Sequence, residues 1–404
     1  MPFQIALSGL NAASADLNVT ANNIANVNTT GFKSSRAEFA DMFPISAYGV
    51  SSTATGIGVR TGRVAQQMTQ GNINTTGNTL DMAVSGEGYF TLSDNGAIVY
   101  SRAGAFGTDD NGYVVNAAGQ RLQVFPRTSN GGFDTAQLGD LQLSSSTNPP
   151  KASTSISANL NLPSTDEAPA TTPFDATDPT SYNQTRALTV YDSLGTAHQA
   201  AMYYVKGTTP NSWDVHVQVD GNDVGGGAVT YSDSGSLLTP ANGALTLSGY
   251  TPTNGAAPMN LALDLSGSTQ YGDTFSLNSL KQDGYATGSL TTVEITAGGV
   301  VQARYTNGQA TPLGQIALTR FPNPQGLQQL GGSTWGETYI AGQPLRGAGD
   351  SPNFGGIQSG ALEGSNVDLT AQLVNMITAQ RNYQANAQMI STADQITQTM
   401  INIR

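Results

Sequence analysis

The sequence contains no cysteine, so disulfides, thiolate metal sites and thiol nucleophiles are all excluded, and packing alone has to hold the fold. Charge is nearly as scarce. Charged residues make up 11 % of the chain, against about 25 % in an average globular protein, and glycine with uncharged polar residues fills the gap. With 16 basic against 28 acidic residues the net charge is -12, which repels phosphate backbones and argues against nucleic acid as a partner. No apolar run approaches the roughly 18 residues that membrane insertion requires. The opening residues MPFQIALSGLNAAS also lack the basic and continuous apolar regions of a cleavable secretory signal. Histidine occurs only as His198 and His216, so a Ser-His-Asp triad would have to use one of them. His198 follows a glycine turn and His216 sits on the polar side of an alternating run, and both are read as solvated surface.

The 404 residues suffice for several domains. Near the start, Phe3, Leu7, Leu10, Leu17 and Ile24 fall on alternating steps of three and four, with Ser14 and Ala21 filling the series. This is the seam of a packing helix of about 25 residues. At the other end Leu369, Leu373, Met376, Tyr383, Ile390 and Ile401 follow the same spacing, with Asp368 at the N-cap position. Residues 1–31 carry a single charge, Asp16, and residues 369–404 carry Arg381, Asp394 and Arg404. Such helices suit burial on several sides.

Between the two ends the chain reads as antiparallel β. Asp94, Asn95 and Gly96 separate two apolar runs as a hairpin turn does, and Asp110, Asn111 and Gly112 repeat the device. The acids of these turns lack the later bidentate Glu of a calcium loop, so turn chemistry accounts for them without a metal. Trp213, Val215, Val217 and Val219 alternate with polar residues, giving a strand with one buried face. Residues 144–182, rich in Ser, Thr, Pro and Asp, read as a linker into a middle domain, and 240–260 as a long surface loop. Strand-like runs after residue 292 need partners laid down earlier, which implies nesting.

The expected fold is therefore mainly β with α-helical termini, a nested multidomain chain whose N- and C-terminal helices pair as a coiled coil around antiparallel β inner and outer domains. The expected layers are 1–30 with 362–404 as the helical core and 31–71 with 332–361 as an extended connecting segment. An inner β domain of 72–146 with 284–331 and an outer β domain of 147–283 complete them.

Two stretches carry a resemblance. Residues 8–33, SGLNAASADLNVTANNIANVNTTGFK, contain Asn22, Asn23, Ile24, Ala25 and Asn26, followed by Gly31 and Phe32; residues 365–396 begin Ser365, Asn366, Val367, Asp368 and continue through Gln380, Arg381 and Tyr383. Both are similar to the two ends of the axial proteins of the bacterial flagellum, the rod, hook and hook-associated proteins. Residues 70–90, QGNINTTGNTLDMAVSGEGYF, resemble an inner β domain common to rod and hook, whereas 187–206, ALTVYDSLGTAHQAAMYYVK, and the extra length in the middle resemble the hook branch. The polar segment 44–55 is longer than in the shortest hook proteins and resembles the longer insert of the distal rod.

The resemblance implies an extracellular structural subunit of the flagellum that polymerises with itself and takes no cofactor. Its implied partners are the distal rod protein, the hook-associated proteins, the hook cap protein and the flagellar type III export apparatus, which would move the chain out without a cleavable signal. A distal rod subunit is the alternative within the family. An extracellular glycoside hydrolase working through two carboxylates is the alternative from another class, and it leaves both terminal helices unexplained.

Overall fold

The computed structural model describes residues 2–43, 55–143 and 147–402, so the segment 44–55 falls, except for Thr55, outside the described residues. The chain divides into two compact units. The first comprises residues 1–144, 292–304 and 310–404, and the second, inserted within it, comprises 145–291 with 305–309.

Two helices bound the first unit, α1 (Pro2–Ala25) and α2 (Leu369–Asn402). Beside α1 lies a hairpin of Ser35–Met42 and Gly58–Gln66, tied to the helix where Val59 N–H donates to Ser8 Oγ at 3.2 Å. The main sheet runs in the order Val300–Tyr305, Ala310–Ile316, Arg121–Pro126, Tyr89–Asp94, Ala97–Ser101, Thr334–Gly336. Its central hairpin turns on Asn95 (φ 50°) and Gly96 (φ 95°) with Asp94 opposite Ala97, a two-residue turn whose twist matches the strands. Residues 332–361, expected as a connection, supply strands to the first unit: Thr334–Gly336 joins Ala97–Ser101, and Gly356–Ser359 pairs with Met82–Ser85. The core gathers Phe90, Leu92, Leu122 and Ile316, all with no solvent exposure, with Phe106 set edge-on to Phe90 at 5.6 Å.

The second unit has two five-stranded sheets whose apolar faces share one core. One is an antiparallel meander from Gln184–Tyr191 to Leu237–Thr239. There Trp213, Val215, Val217 and Val219 are fully buried, as the alternation requires. Its other sheet corrects the expectation of purely antiparallel β. Strand Ser155–Pro163 lies parallel to both Ala262–Asp264 and Thr269–Tyr271 and antiparallel to Ser276–Gln282. A parallel partner needs a long connection, and some hundred residues of chain intervene before the strand's partners arrive. Ser155–Pro163 also lies inside what reads as a linker, and residues 240–260 are no surface loop, since Leu245, Leu247, Tyr250 and Met259 belong to the core.

Candidate assembly surface

The terminal helices pack antiparallel. Asn23 Nδ2 donates to Gln372 Oε1 at 3.2 Å, and a Cβ added to Gly9 would stand 2.5 Å from Asn386 Oδ1, so fourteen residues of one helix match fourteen of the other. The stripe that α1 buries is Ala6, Ala13, Thr20 and Asn23, and on α2 Ala379 is buried at 1 % exposure. On α1 this is the row next to the expected seam, one residue or about 100° around the helix. Small side chains let the backbones approach, and several of the larger apolar residues stay open. Phe3, Leu7, Leu369 and Leu373 are 40–45 % exposed, and Tyr383 is exposed as well. Leu10, Leu17, Ile24, Met376 and Ile390 are half-buried; Ile401 lies near the end of α2, its side chain outside the described part. Val374, Ile377, Met389 and Ile396 add to the open apolar surface of α2. Asp16 is half-buried on α1, and burial pushes its carboxyl up from the ordinary range.

Just past the helix pair, the residues of the two resemblance stretches hold the chain in place. Asn23 Oδ1 accepts from Ser35 N–H at 2.8 Å while Nδ2 donates to Ser35 C=O at 2.7 Å, which fixes the turn out of α1. Asn22 C=O accepts from Asn26 Nδ2, and Asn26 Oδ1 in turn accepts from Thr29 Oγ1. Gly31 has φ 68°, and a Cβ there would meet the Ala103 backbone N at 2.4 Å, so only glycine fits. Phe32 is buried; Ile24 is half-buried, and Ala25, Gln380 and Arg381 are exposed. From the other end, Asn366 Oδ1 accepts from Ser34 N–H and its Nδ2 donates to Gln67 C=O, both at 2.7 Å. Ser365 Oγ accepts from Val367 N–H, and Asp368 Oδ1 caps α2 at the N–H of Ala371.

Beneath these amides lies a group that the sequence did not reveal. Glu363, wholly buried, receives Lys33 Nζ at 2.6 Å on Oε1 and Arg102 Nη1 at 3.3 Å on Oε2. Lys33 Nζ also donates to Thr69 C=O, and Gly71 N–H donates to Glu363 Oε1. Burial lowers the Lys33 ammonium's pKa from the ordinary lysine range, and the neighbouring carboxylate opposes that shift. One carboxylate thus joins the segment after α1, the segment before α2 and the β body. The only hint in the sequence was Lys33 standing directly after Phe32.

The histidines depart from expectation. His198 is 9 % exposed and sits between Asp192 and Asp220, and His216 stacks on Phe174 with ring centroids 4.2 Å apart. Among the described residues no cluster of His, Asp and Glu is fit to hold a metal, and no helix is long and apolar enough to cross a membrane. Asp109 Oδ1 accepts from the N–H groups of Asn111 and Tyr113, as a turn acid does.

Paired end helices with open apolar rows, joined through a buried ionic knot to a β body carrying an inserted β unit, define a β-rich structural protein built around its paired ends. Family models match along the chain in the same order: Flagella basal body rod protein over 3–33, Flagellar hook protein FlgE/F/G D1 domain over 83–164, Flagellar basal body protein FlaE D2 domain over 161–285, and Flagellar basal body rod FlgEFG protein C-terminal over 358–403. Flagellar hook protein FlgE of Escherichia coli is 40 % identical with 100 % of both chains covered. The protein of the same name from Salmonella typhimurium is 41 % identical, again over 100 % of both. That of Borreliella burgdorferi is 32 % identical over 98 % of each. The chain belongs to the flagellar hook protein FlgE family. A crystal structure of Helicobacter pylori flagellar hook protein FlgE2 superposes with a TM-score of 0.53 at 15 % identity, covering 72 % of this chain and 100 % of that one, a likeness of fold.

Proposed function

We propose that the chain, a hook subunit, assembles head to tail into a short, curved, extracellular tube that passes torque from rod to filament as a flexible joint. The observation that carries this reading is the division of labour on the terminal helices: small residues make the contact within the chain, and Phe3, Leu7, Leu369, Leu373, Val374 and Ile377 are left open. Apolar rows of that size on two helices need partners. Copies of the same chain can supply them, because a head-to-tail contact that does not close into a ring propagates into an open helix. Weakly charged, glycine-rich outer surfaces let neighbouring subunits slide at modest cost when the tube bends.

The role is structural and not catalytic. The distal rod protein below, the hook-associated proteins above, the hook cap protein during growth and the type III export apparatus are the partners this role requires. Full-length protein at rising concentration, viewed by electron microscopy, tests the reading. Curved tubes are expected. Uniformly straight tubes point to a distal rod role, and a chain that stays monomeric at all concentrations sinks self-assembly.

A further inference from the structure

We propose that His198 is a proton-operated clasp of the second unit, which as imidazolium ties together three loops at one end of its meander sheet and on losing a proton frees the loop 248–259. This is independent of the polymer reading.

The geometry carries the proposal. His198 Nδ1 lies 2.6 Å from Asp220 Oδ2, and Nε2 lies 3.2 Å from Asp192 Oδ2. Ionised carboxylates only accept hydrogen bonds, and a neutral imidazole has one N–H to give. One of the two contacts would then set a nitrogen lone pair against a carboxylate oxygen. Only the imidazolium satisfies both.

Each carboxylate is itself anchored and shared. Asp192 Oδ1 accepts from the N–H groups of Leu194 at 2.9 Å and Thr196 at 2.8 Å, and its Oδ2 also takes Asn254 Nδ2. Asp220 Oδ1 accepts from Gln199 N–H, and its Oδ2 also takes the Tyr250 hydroxyl at 3.1 Å. Tyr250 stands edge-on to the imidazole at 5.5 Å. The turns at 192–196 and 220–221 are thereby joined to each other through His198, and the same two carboxylates receive Tyr250 and Asn254 of the loop. Ala257 N–H adds a bond to Ser193 Oγ across the same gap.

The titratable groups facing the imidazole are Asp192, Asp220 and Tyr250. Burial works against ionising the two acids, yet Asn254, the backbone N–H groups and His198 hold Asp192 well below the ordinary range, and His198 with Gln199 N–H holds Asp220 down. Burial alone also works against charging His198, but the two carboxylates outweigh it and raise its pKa above the ordinary 6.5. Tyr250 is pushed up by burial and by Asp220. A histidine with a raised folded pKa gives stability that is complete below its unfolded value and is lost as pH rises through the folded one. The clasp is therefore closed at and below the ordinary histidine value and opens as pH rises through the raised folded one, where Asp192 and Asp220 are left facing each other without the cation.

Hydrogen–deuterium exchange at the His198 ring C2 position, read by mass spectrometry on the full chain, gives its titration midpoint. That midpoint is expected above the ordinary 6.5, and amide protection in 248–259 is expected to fall with the same midpoint, by about tenfold for each pH unit of that elevation. His198→Gln should show weak protection in that loop at every pH. Asp220→Asn, which keeps the shape of the site, should lower the His198 midpoint. A His198 midpoint at or below the ordinary 6.5, or a loop whose protection has no step at the His198 midpoint, overturns the proposal.

Discussion

Glu363 binds Lys33 at 2.6 Å across 330 residues of chain, with both side chains at or below 1 % exposure. The contact closes the first unit: what leaves α1 and what enters α2 are held by one carboxylate, with Arg102 of the β body as third member. A buried ionic group of this kind adds little net stability against a well-packed apolar substitute, but removing one partner strands the others in a dry site. Glu363→Gln should therefore cost about 3–5 kcal/mol and lower the unfolding midpoint of the first unit. The second unit, with its own core, should unfold as before. Calorimetry of the full chain reads both transitions; an unshifted first transition would show that the triple is not what holds the junction.

Gly104 marks another close approach. A Cβ there would stand 1.7 Å from Met82 C=O and 3.1 Å from the Phe90 ring. The first neighbour is backbone and cannot swing aside, so Gly104→Ala should cost at least the 1–3 kcal/mol typical of overpacking. Gly107, three residues on, has nothing within 4 Å of its added Cβ, and Gly107→Ala is the matched control. Equal denaturant midpoints for the two variants would contradict the geometry.

Acid stability of the second unit is expected to depend on Asp283. Its carboxylate accepts from Thr154 N–H at 2.7 Å, Ser155 N–H at 3.0 Å, Thr154 Oγ1 and Lys151 Nζ, tying the start of Ser155–Pro163 to the chain beyond Ser276–Gln282. Burial opposes ionisation, but these four donors prevail and hold the pKa well below the ordinary carboxylate range. A carboxylate with a depressed folded pKa stabilises above its unfolded value, about 3.8, and that contribution is lost as pH falls through the folded value. Asp283→Asn should thus lower stability near neutrality by about 1–3 kcal/mol and flatten the decline below pH 4. A variant with the wild-type acid profile would assign that decline to other acids.

Legibility in the sequence followed the range of the interaction. The stripes at both ends announced helices, and these span Pro2–Ala25 and Leu369–Asn402. Asn95 with Gly96 announced a hairpin, and 213–219 a half-buried strand, because turn chemistry and two-residue alternation are local. Ser155–Pro163 was masked by its own small polar residues: Ile156, Ala158, Leu160 and Leu162 are all within 1 % of full burial, yet Ser and Asn between them read as linker. The apolar stripes of the terminal helices were legible, but not the row buried within the chain, since Ala6, Ala13 and Ala379 look weak on any apolar scale and are chosen for size. Contacts between distant acids and bases, Lys33 with Glu363 and His198 with Asp220, leave no spacing to read.

The last prediction separates contacts within the chain from contacts between chains. Leu7 and Leu373 are about 40 % exposed, while burying a large apolar side chain is worth about 1.5–3 kcal/mol. If neighbouring subunits cover these rows, Leu7→Asp or Leu373→Asp removes that gain and adds the cost of a buried carboxylate at every joint of the polymer. The concentration needed for assembly should rise by tenfold or more, since about 1.4 kcal/mol per joint is a factor of ten. The monomer should unfold as the parent does. Ala379→Leu works the opposite way: it wedges the close contact of α1 with α2, so the helices should lose protection within the monomer before any assembly is attempted. Light scattering against concentration gives the assembly threshold, and amide exchange on the monomer gives the helix pairing. Aspartate variants that assemble at the parental threshold would leave the exposed rows without a partner in the tube.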